Sequence, residues 1–151
     1  MPNLIKNKVL YTSGYEGLEL AQFIANLKEN NIEYLIDIRE KAISRKKGFS
    51  RTALYEALIS ENINYLHCRD LGSPSQIRKK LREDKDYSYF FEQFSDYLSS
   101  KGKELEKITE LIAQSICCLL CFEKDHEKCH RKVVAKEIQR INNNGILLKH
   151  L

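Results

Sequence analysis

The feature that most constrains this chain is a run of seven residues, 116–122, with no charged side chain and no alternation of polar and apolar residues. The run Ile-Cys-Cys-Leu-Leu-Cys-Phe is far shorter than the ~20 apolar residues that cross a bilayer. Short apolar runs of this kind are typical of a strand whose two faces are both covered. The run therefore predicts a central strand of a parallel sheet, with helices packed on both sides.

Shorter apolar segments elsewhere in the chain alternate with amphipathic helical patterns. Strands are predicted at residues 8–13, 33–38, 63–68 and 116–122, with an edge strand at 146–151. Parallel neighbours are joined by right-handed crossovers, and helices between the strands supply these crossovers. The order therefore predicts a three-layer α/β fold, in which a mostly parallel sheet of four or five strands is flanked by helices.

The helical patterns make detailed predictions. Residues 73–76, Ser-Pro-Ser-Gln, predict a helix start with Ser73 as the N-cap and a capping box. The aromatic stripe over residues 88–98 is interpreted as a core face rather than a ligand site. The last helix, over about residues 128–142, is expected to bury its apolar side chains as far as Ile141.

The composition is that of a folded protein in water. Of the 151 residues 42% are hydrophobic and 30% are charged, which excludes collagen-like and largely disordered chains. A chain of this length supports one core, so we expect a single α/β domain over residues 1–151. Residues 1–6 lack the apolar region of an export signal, and no apolar run is long enough for a membrane. These observations predict a cytoplasmic protein without a membrane partner.

The five cysteines are an odd number and do not form a pair of C-x-x-C modules. In a chain without an export signal, this pattern predicts thiols rather than a disulfide framework. Cys117 and Cys118 lie inside the apolar run, where cysteine behaves as a small hydrophobic residue. Both are expected in the core.

Polar residues gather just after the predicted strands, at the carboxyl edge where parallel α/β folds bind ligands. Gly14 and Tyr15 follow the first strand, and Gly14 with Gly17 would let backbone amides approach an anion. Asp37 and Arg39 end the second strand, and their spacing places both side chains on one face, where they can pair. Turn geometry alone is the alternative for the glycines, and a structural ion pair is the alternative for Asp37 and Arg39.

The loop after the second strand is strongly basic. Residues 39–51 hold six cations and one acid, a local charge of +5. Arg39 and Arg45 are the candidates for contact with an anion. A second basic segment, residues 78–82, opens a later helix. The alternative is a solvated loop kept soluble by its charge, because basic runs are common on surfaces.

The fourth strand and the last helix add a further group, consisting of Cys121, Glu123 and the Cys-His-Arg motif of residues 129–131. Cys121, Cys129 and His130 are residue types that bind zinc. Structural zinc sites, however, use C-x(2–4)-C pairs, whereas seven residues separate these two cysteines. No metal and no cofactor is therefore assigned. A buried, hydrogen-bonded histidine beside a core cysteine is the alternative for His130.

Several of these segments stand in the order of a known family. The motifs are Thr12-Ser-Gly-Tyr-Glu-Gly17, Asp37-Ile-Arg39, Ser44-Arg45, Gly48-Phe49, residues 65–72, Cys121-Phe-Glu123 and Cys129-His-Arg131. Over almost the whole chain they resemble the bacterial and archaeal family called domain of unknown function 488. The resemblance implies a compact α/β fold and marks these positions as a signature, but no reaction comes with it.

These residues predict a protein that binds a phosphate-bearing ligand, a nucleotide or nucleic acid, at the carboxyl edge of its sheet. An enzyme-like domain would neutralise the anion with arginines and transfer protons with acids and a histidine. The expected catalytic residues are Asp37, Glu123 and His130, and the expected ligand-binding residues are Gly14, Tyr15, Arg39, Arg45, Cys121, Cys129 and Arg131. The alternative is a non-catalytic module that binds nucleic acid or another ligand through the basic loop 39–51.

Overall fold

A computed structural model describes residues 8–151. The N-terminal stretch on which the expectation of a missing export signal rests lies outside these residues. The strands are β1 (Lys8–Gly14), β2 (Tyr34–Asp37), β3 (Asn64–His67), β4 (Cys117–Cys121) and β5 (Ile146–His150). The helices are α1 (Leu20–Glu29), α2 (Arg51–Ile59), α3 (Ser75–Asp84), α4 (Tyr87–Leu98), α5 (Gly102–Gln114) and α6 (Arg131–Ile141). Short 3₁₀ turns at Arg69–Leu71 and His126–Lys128 come before α3 and α6.

The five strands form one sheet in the order β3-β2-β4-β1-β5, and every neighbouring pair is parallel. Strand β4 lies at the centre, and all five of its residues are buried. The register places Cys118 of β4 between Leu35 of β2 and Tyr11 of β1. The predicted α/β fold is confirmed, including the doubly covered central strand and the edge strand β5.

Successive side chains of β4 point to opposite faces of the sheet and so enter two separate cores. Cys117 and Leu119 lie on the face covered by α4, α5 and α6. Cys118 and Leu120 lie on the face covered by α1 and α2. Both cysteines that were expected in the core are buried, and the aromatic stripe of α4 packs into the first of these cores.

Two helix ends differ from the sequence prediction. The N-cap of α3 is Pro74, not Ser73, and no side chain caps this helix. Pro74 has an extended ψ of 146°, which places it before the helix and not in its first turn. Ile141 is 37% exposed because it is the last residue of α6, three residues beyond the buried Ile138. Within residues 8–151, none of the helices is both long and apolar enough to span a membrane.

Candidate functional site

The carboxyl edge of the sheet brings together the ends of four strands, because all of them run in the same direction. Gly14, Asp37, His67 and Cys121 end β1, β2, β3 and β4. Two groups of side chains build this edge. The first surrounds Asp37 and Arg39, and the second surrounds Cys121 at the start of α6.

Asp37 and Arg39 form a buried ion pair. Arg39 Nε donates to Asp37 Oδ1 at 2.8 Å, and Nη2 donates to Oδ2 at 2.6 Å. The backbone N–H of Arg39 also donates to Oδ1, at 3.1 Å. Burial lowers the pKa of Arg39, but the hydrogen bonds and charge of Asp37 outweigh this effect and hold that pKa above its ordinary value. The pairing expected from the spacing on β2 is present, and Arg39 remains charged inside the protein.

Asp37 and the backbone of Arg39 each accept a hydrogen bond from a half-buried side chain of β3. Tyr65 Oη donates to Asp37 Oδ2 at 2.5 Å, and His67 Nε2 donates to the backbone carbonyl of Arg39 at 2.8 Å. Burial, reinforced by the negative charge of Asp37, raises the pKa of the Tyr65 phenol above its ordinary value. Asp37 and Arg39 are therefore buried themselves, and they influence the surface by fixing the positions of Tyr65 and His67.

Two cavities open beside Tyr65 and His67. One has a volume of about 350 Å³ and is lined by Arg51, Thr52, Tyr55, Tyr65, Leu66 and His67. The other has a volume of about 590 Å³ and is lined by Glu40, Lys41, Ile43, Arg51, His67 and Arg69. Because Arg51 and His67 line both cavities, we describe them as one site and call it the Arg51 cleft.

The Arg51 cleft carries positive charge without internal partners. Arg51, Lys41 and Arg69 are exposed, and none of the three is in an ion pair among residues 8–151. The one acid in the lining, Glu40, pairs with Arg78 at 3.1 Å. An anion entering the cleft would therefore meet uncompensated cations.

An exposed aromatic ring and a helix start lie beside these cations. Tyr55 is 47% exposed and packs edge-on against Tyr65, with ring centroids 6.4 Å apart. Helix α2 begins at Arg51 without a side-chain cap, because the hydroxyl of Ser50 bonds to the backbone of Ser44 instead. The N–H of Arg51 donates to the carbonyl of Ala42 at 2.9 Å, whereas the N–H groups of Thr52 and Ala53 have no acceptor among residues 8–151, an arrangement that favours anions.

None of the seven expected ligand-binding residues lines this cleft; four of them, Gly14, Cys121, Cys129 and Arg131, lie where β1 and β4 end, and the other three are Tyr15, Arg39 and Arg45. Arg39 is buried, and its remaining donors bond to the carbonyl of Phe49 at 2.7 Å and to Tyr15 Oη at 3.2 Å. Tyr15 is 2% exposed and stacks on Phe49 with ring centroids 4.4 Å apart. Arg45 is exposed on the basic loop but lines neither cavity.

The second group of side chains surrounds the end of β4. The sulfur atoms of Cys121 and Cys129 are in contact, as in a disulfide, whereas Cys68, Cys117 and Cys118 are free. The expectation of five separate thiols is therefore corrected, because the chain turns back after β4 and returns residue 129 to the strand end. The two sulfur atoms and a ring nitrogen of His130 all lie within 4.8 Å of one another. These are the atoms that could hold a transition metal.

His130 is the N-cap of α6, and its ring is fixed on both sides. Its Nε2 donates to the backbone carbonyl of Ile38 at 2.7 Å, and the ring of Phe94 packs edge-on at a centroid distance of 5.3 Å. Nδ1 lies 3.8 Å from Cys129 Sγ. Burial lowers the pKa of His130 to about 4, so the ring is neutral at neutral pH.

Arg131 is fully buried beside the two cysteines. Its Nη1 donates to Cys121 Sγ at 3.2 Å and to the backbone carbonyl of Glu123. Its Nε donates to Thr12 Oγ1 at 3.2 Å, and its Nη2 donates to the carbonyl of Lys124 at 3.1 Å. Among residues 8–151, no carboxylate comes within ion-pair distance of Arg131. Burial lowers the pKa of this guanidinium.

Gly14 and Glu123 meet where β1 and β4 end. A Cβ atom on Gly14 would collide with the backbone carbonyl of Glu123, so this close approach requires glycine. Burial raises the pKa of the Glu123 carboxyl above its ordinary value. The packing of the two strand ends accounts for Gly14 without an anion.

Most of the residues that line the Arg51 cleft belong to the basic loop 39–51 or to the motif at residues 65–72, but none of them was named as a candidate site residue from the sequence. Arg51 was counted only as the end of the basic loop, and Tyr55 was not considered. The two are four residues apart, so they share one face of α2 directly after that loop. This spacing of a cation and an aromatic residue is the signal that would have found the cleft.

A protein-family model matches most of the chain. Its description is "Domain of unknown function DUF488", and it matches residues 19–138. The matched segment runs from just before α1 into α6 and contains every residue of the Arg51 cleft as well as the Cys121 group. No curated protein and no solved structure shows significant similarity to the chain.

Proposed function

The chain belongs to the DUF488 family, and since this family's description assigns no activity, we propose from geometry that the Arg51 cleft binds a nucleotide unit, free or within single-stranded nucleic acid. One observation carries the proposal: unpaired cations and an exposed aromatic ring line the same cleft. A nucleotide offers the complementary pair, an anionic phosphate and a flat base. The ligand class expected from the sequence is unchanged, but the arginine proposed to contact the phosphate is Arg51 instead of Arg39 or Arg45.

The phosphate is held by Arg51, which lines both cavities, and by Lys41 and Arg69, which line the second cavity with it. A guanidinium binds phosphate through two parallel N–H donors, and Arg51 is free to do so because it has no ion-pair partner among residues 8–151. The uncapped first turn of α2 adds backbone N–H donors and the positive end of the helix dipole. The site therefore attracts a phosphate by both charge and geometry.

The base stacks on Tyr55. Single-stranded nucleic acids bind on exposed aromatic rings beside basic grooves, and each stacked base contributes about 1–3 kcal/mol. Leu66 and Ile43 extend the apolar surface, with exposures of 39% and 75%. Large apolar side chains exposed next to unpaired cations are typical of a ligand or partner surface.

Asp37 and Arg39 act as positioning residues in this proposal. They hold Tyr65 and His67, which line the cleft, through the bonds to Tyr65 Oη and His67 Nε2. The catalytic roles expected for Asp37, Glu123 and His130 stay predictions. Binding is the function that the cleft itself supports.

Salt-dependent binding tests the phosphate contact. Fluorescence anisotropy with a labelled oligothymidylate should give binding at low salt, with log K falling linearly as log salt rises. Arg51→Gln should weaken binding and reduce the magnitude of that slope by about 1. Arg140→Gln is the matched control, because Arg140 is exposed on α6 and pairs with Glu137. Absence of binding at low salt, or equal effects of the two substitutions, would contradict the proposal.

A second substitution tests the stacked base. Tyr55→Leu should lower the affinity by about 5- to 150-fold without changing the salt slope, because stacking involves no counterion release. Tyr89→Leu is the control, since Tyr89 is also an exposed tyrosine on a helix but lies on α4. Equal affinities for the Tyr55→Leu protein and the parent protein would rule out base stacking on this ring.

A further inference from the structure

We propose that Cys121 and Cys129, in their reduced thiolate form, bind one zinc ion together with His130, with the fourth coordination position open. The three potential ligand atoms lie within 4.8 Å of one another, and all three residues are buried. Two thiolates and an imidazole are a ligand set that suits zinc. The site is separate from the Arg51 cleft and does not depend on the function proposed there.

The fold explains why the ligands have an unconventional spacing. Cys121 is the last residue of β4, whereas Cys129 and His130 immediately precede α6. Between them the chain turns back through the 3₁₀ turn His126–Lys128, where the Asp125 side chain accepts a hydrogen bond from the N–H of Glu127 at 3.0 Å. A strand end and a helix start thus supply the ligands, and a short C-x(2–4)-C loop is not needed.

The orientation of His130 is that of a metal ligand. A histidine that binds a metal through one ring nitrogen commonly donates its other ring N–H to a carbonyl or a carboxylate. His130 Nε2 makes such a bond to the carbonyl of Ile38 at 2.7 Å. This bond leaves Nδ1 with its lone pair, on the side of the ring 3.8 Å from Cys129 Sγ.

Both sulfur atoms accept hydrogen bonds from Arg131. Its backbone N–H donates to Cys129 Sγ at 3.4 Å, and Nη1 donates to Cys121 Sγ at 3.2 Å. Donors directed at sulfur favour the thiolate, which is the form that binds metal. A bound divalent cation balances both thiolate charges, and the buried guanidinium adds donors that hold the sulfur atoms in their charged form.

The backbone separation also fits a metal better than a disulfide. The Cα atoms of Cys121 and Cys129 are 7.6 Å apart, whereas disulfides usually join Cα atoms about 4.4–6.8 Å apart. Two thiolates on one tetrahedral zinc, each ~2.3 Å from it, hold their sulfur atoms about 3.8 Å apart and suit a wider backbone.

The number of ligands indicates the type of site. Among residues 8–151, the cluster has no fourth cysteine, histidine or carboxylate. Structural zinc sites are closed by four protein ligands, and catalytic sites keep three plus a water or substrate atom. The Cys121 group therefore has the ligand count of a zinc ion that can bind a further molecule.

Metal content and a cobalt spectrum test the site in the full chain. We expect the protein, purified with a reducing agent and without a metal-affinity column, to contain one zinc per chain by plasma mass spectrometry. After zinc removal by a chelator, Co²⁺ should bind at one equivalent. Its spectrum should show sulfur-to-cobalt charge transfer and the intense visible bands of a tetrahedral ion, which identify thiolate ligands without any substitution.

Substitutions then assign the ligands. Cys121→Ser and Cys129→Ser should each abolish the charge-transfer band and stoichiometric zinc binding. Cys68→Ser should retain both, because Cys68 is a free cysteine outside the cluster. Circular dichroism of each variant shows whether it is folded. If both serine variants unfold, the cobalt spectrum of the unsubstituted protein and its loss on addition of a chelator decide the question.

Three results would overturn the proposal. The first is reduced, folded protein that takes up neither zinc nor cobalt at micromolar concentration. The second is an intact mass lower by two hydrogens after purification with a reducing agent, which would show a stable disulfide. The third is unchanged metal binding in folded Cys121→Ser protein, which would place the metal elsewhere.

Discussion

Asp37→Asn is the substitution that most directly tests how the carboxyl edge is built. The Asp37 carboxylate is fully buried and accepts four hydrogen bonds, three from Arg39 and one from Tyr65. Asparagine keeps the shape but loses the charge and replaces one acceptor oxygen with an NH₂ donor. Each carboxylate oxygen receives two donors, so the amide faces donors in either orientation.

The expected cost follows from the charge that remains. Arg39 is only 7% exposed, and without Asp37 its guanidinium has no carboxylate partner within residues 8–151. Removing one member of a buried ion pair costs about 3–5 kcal/mol, because the other charge is left uncompensated. For a chain of this size, that loss corresponds to a fall of roughly 6–20 °C in Tm.

Urea unfolding followed by far-ultraviolet circular dichroism measures the effect. Tyr65→Phe removes one of the four bonds but no charge, so its cost should be clearly smaller, near 1.5 kcal/mol, for a half-buried hydroxyl. Asp84→Asn is the exposed control, since Asp84 pairs with Lys80 on the surface of α3, and its unfolding midpoint should not change.

A double variant separates charge from shape. Asp37→Asn combined with Arg39→Met removes both charges, and the protein should recover part of the stability lost by Asp37→Asn alone. A loss below about 1 kcal/mol for Asp37→Asn would refute the reasoning, because a solvated pair is worth no more than that. No recovery in the double variant would show that the remaining Arg39 charge is not the cause.

Three further outcomes are expected. Gly14→Ala should lower the free energy of unfolding by about 3 kcal/mol in urea, because its Cβ meets the Glu123 carbonyl. Gly17→Ala should lower the free energy of unfolding by only about 1–2 kcal/mol, because a φ of 81° alone opposes the new side chain. If Gly14→Ala and Gly17→Ala cost the same, the close approach of Gly14 to the Glu123 carbonyl is contradicted. Burial raises the pKa of the Glu40 carboxyl, but hydrogen bonds from Ser75 and Arg78 outweigh burial, so the pKa is lowered overall. The charged Glu40 therefore stabilises the fold fully above about pH 4.5, and this stabilisation is lost as the pH falls through the lowered pKa. Glu40→Gln should therefore flatten the pH dependence of Tm in acid, and an unchanged profile would contradict this account. Tyr15→Phe removes the 3.2 Å hydrogen bond from Arg39, and a thermal melt should show a loss of about 0.5–1.5 kcal/mol in the free energy of unfolding. A loss as large as that of Asp37→Asn would contradict the view that Asp37 is the main partner of Arg39.

The sheet and its helices were predictable because their signals are local. The apolar run at 116–122 and the helical spacing of apolar residues depend on near neighbours in the sequence. The parallel direction of the strands follows from the helices between them, and it places the strand ends at one edge. The pairing of Asp37 with Arg39 was also predictable, since side chains two residues apart on a strand share a face.

Which arginine lines the cleft was decided only by tertiary structure. Arg39 and Arg51 both belong to the basic loop; the local sequence offers Asp37 beside the first and Tyr55 near the second, but it does not show which guanidinium is buried. Tyr15 and Phe49, from separate parts of the chain, bond to the Arg39 guanidinium and bury it. Arg51 stays exposed at the start of α2 and lines the cleft.

The same distinction applies to the cysteines. From the sequence alone, Cys121, Cys129 and His130 were residue types that bind zinc, but their spacing was unconventional and no metal was assigned. The fold brings the three together, because the chain turns back after β4 and begins α6 beside the end of that strand. Motif spacing describes metal ligands that share one loop, whereas these three residues are brought together by the packing of a helix onto a sheet. The sequence therefore determined the residue types and the edge where they gather, and the packing determined which of them meet.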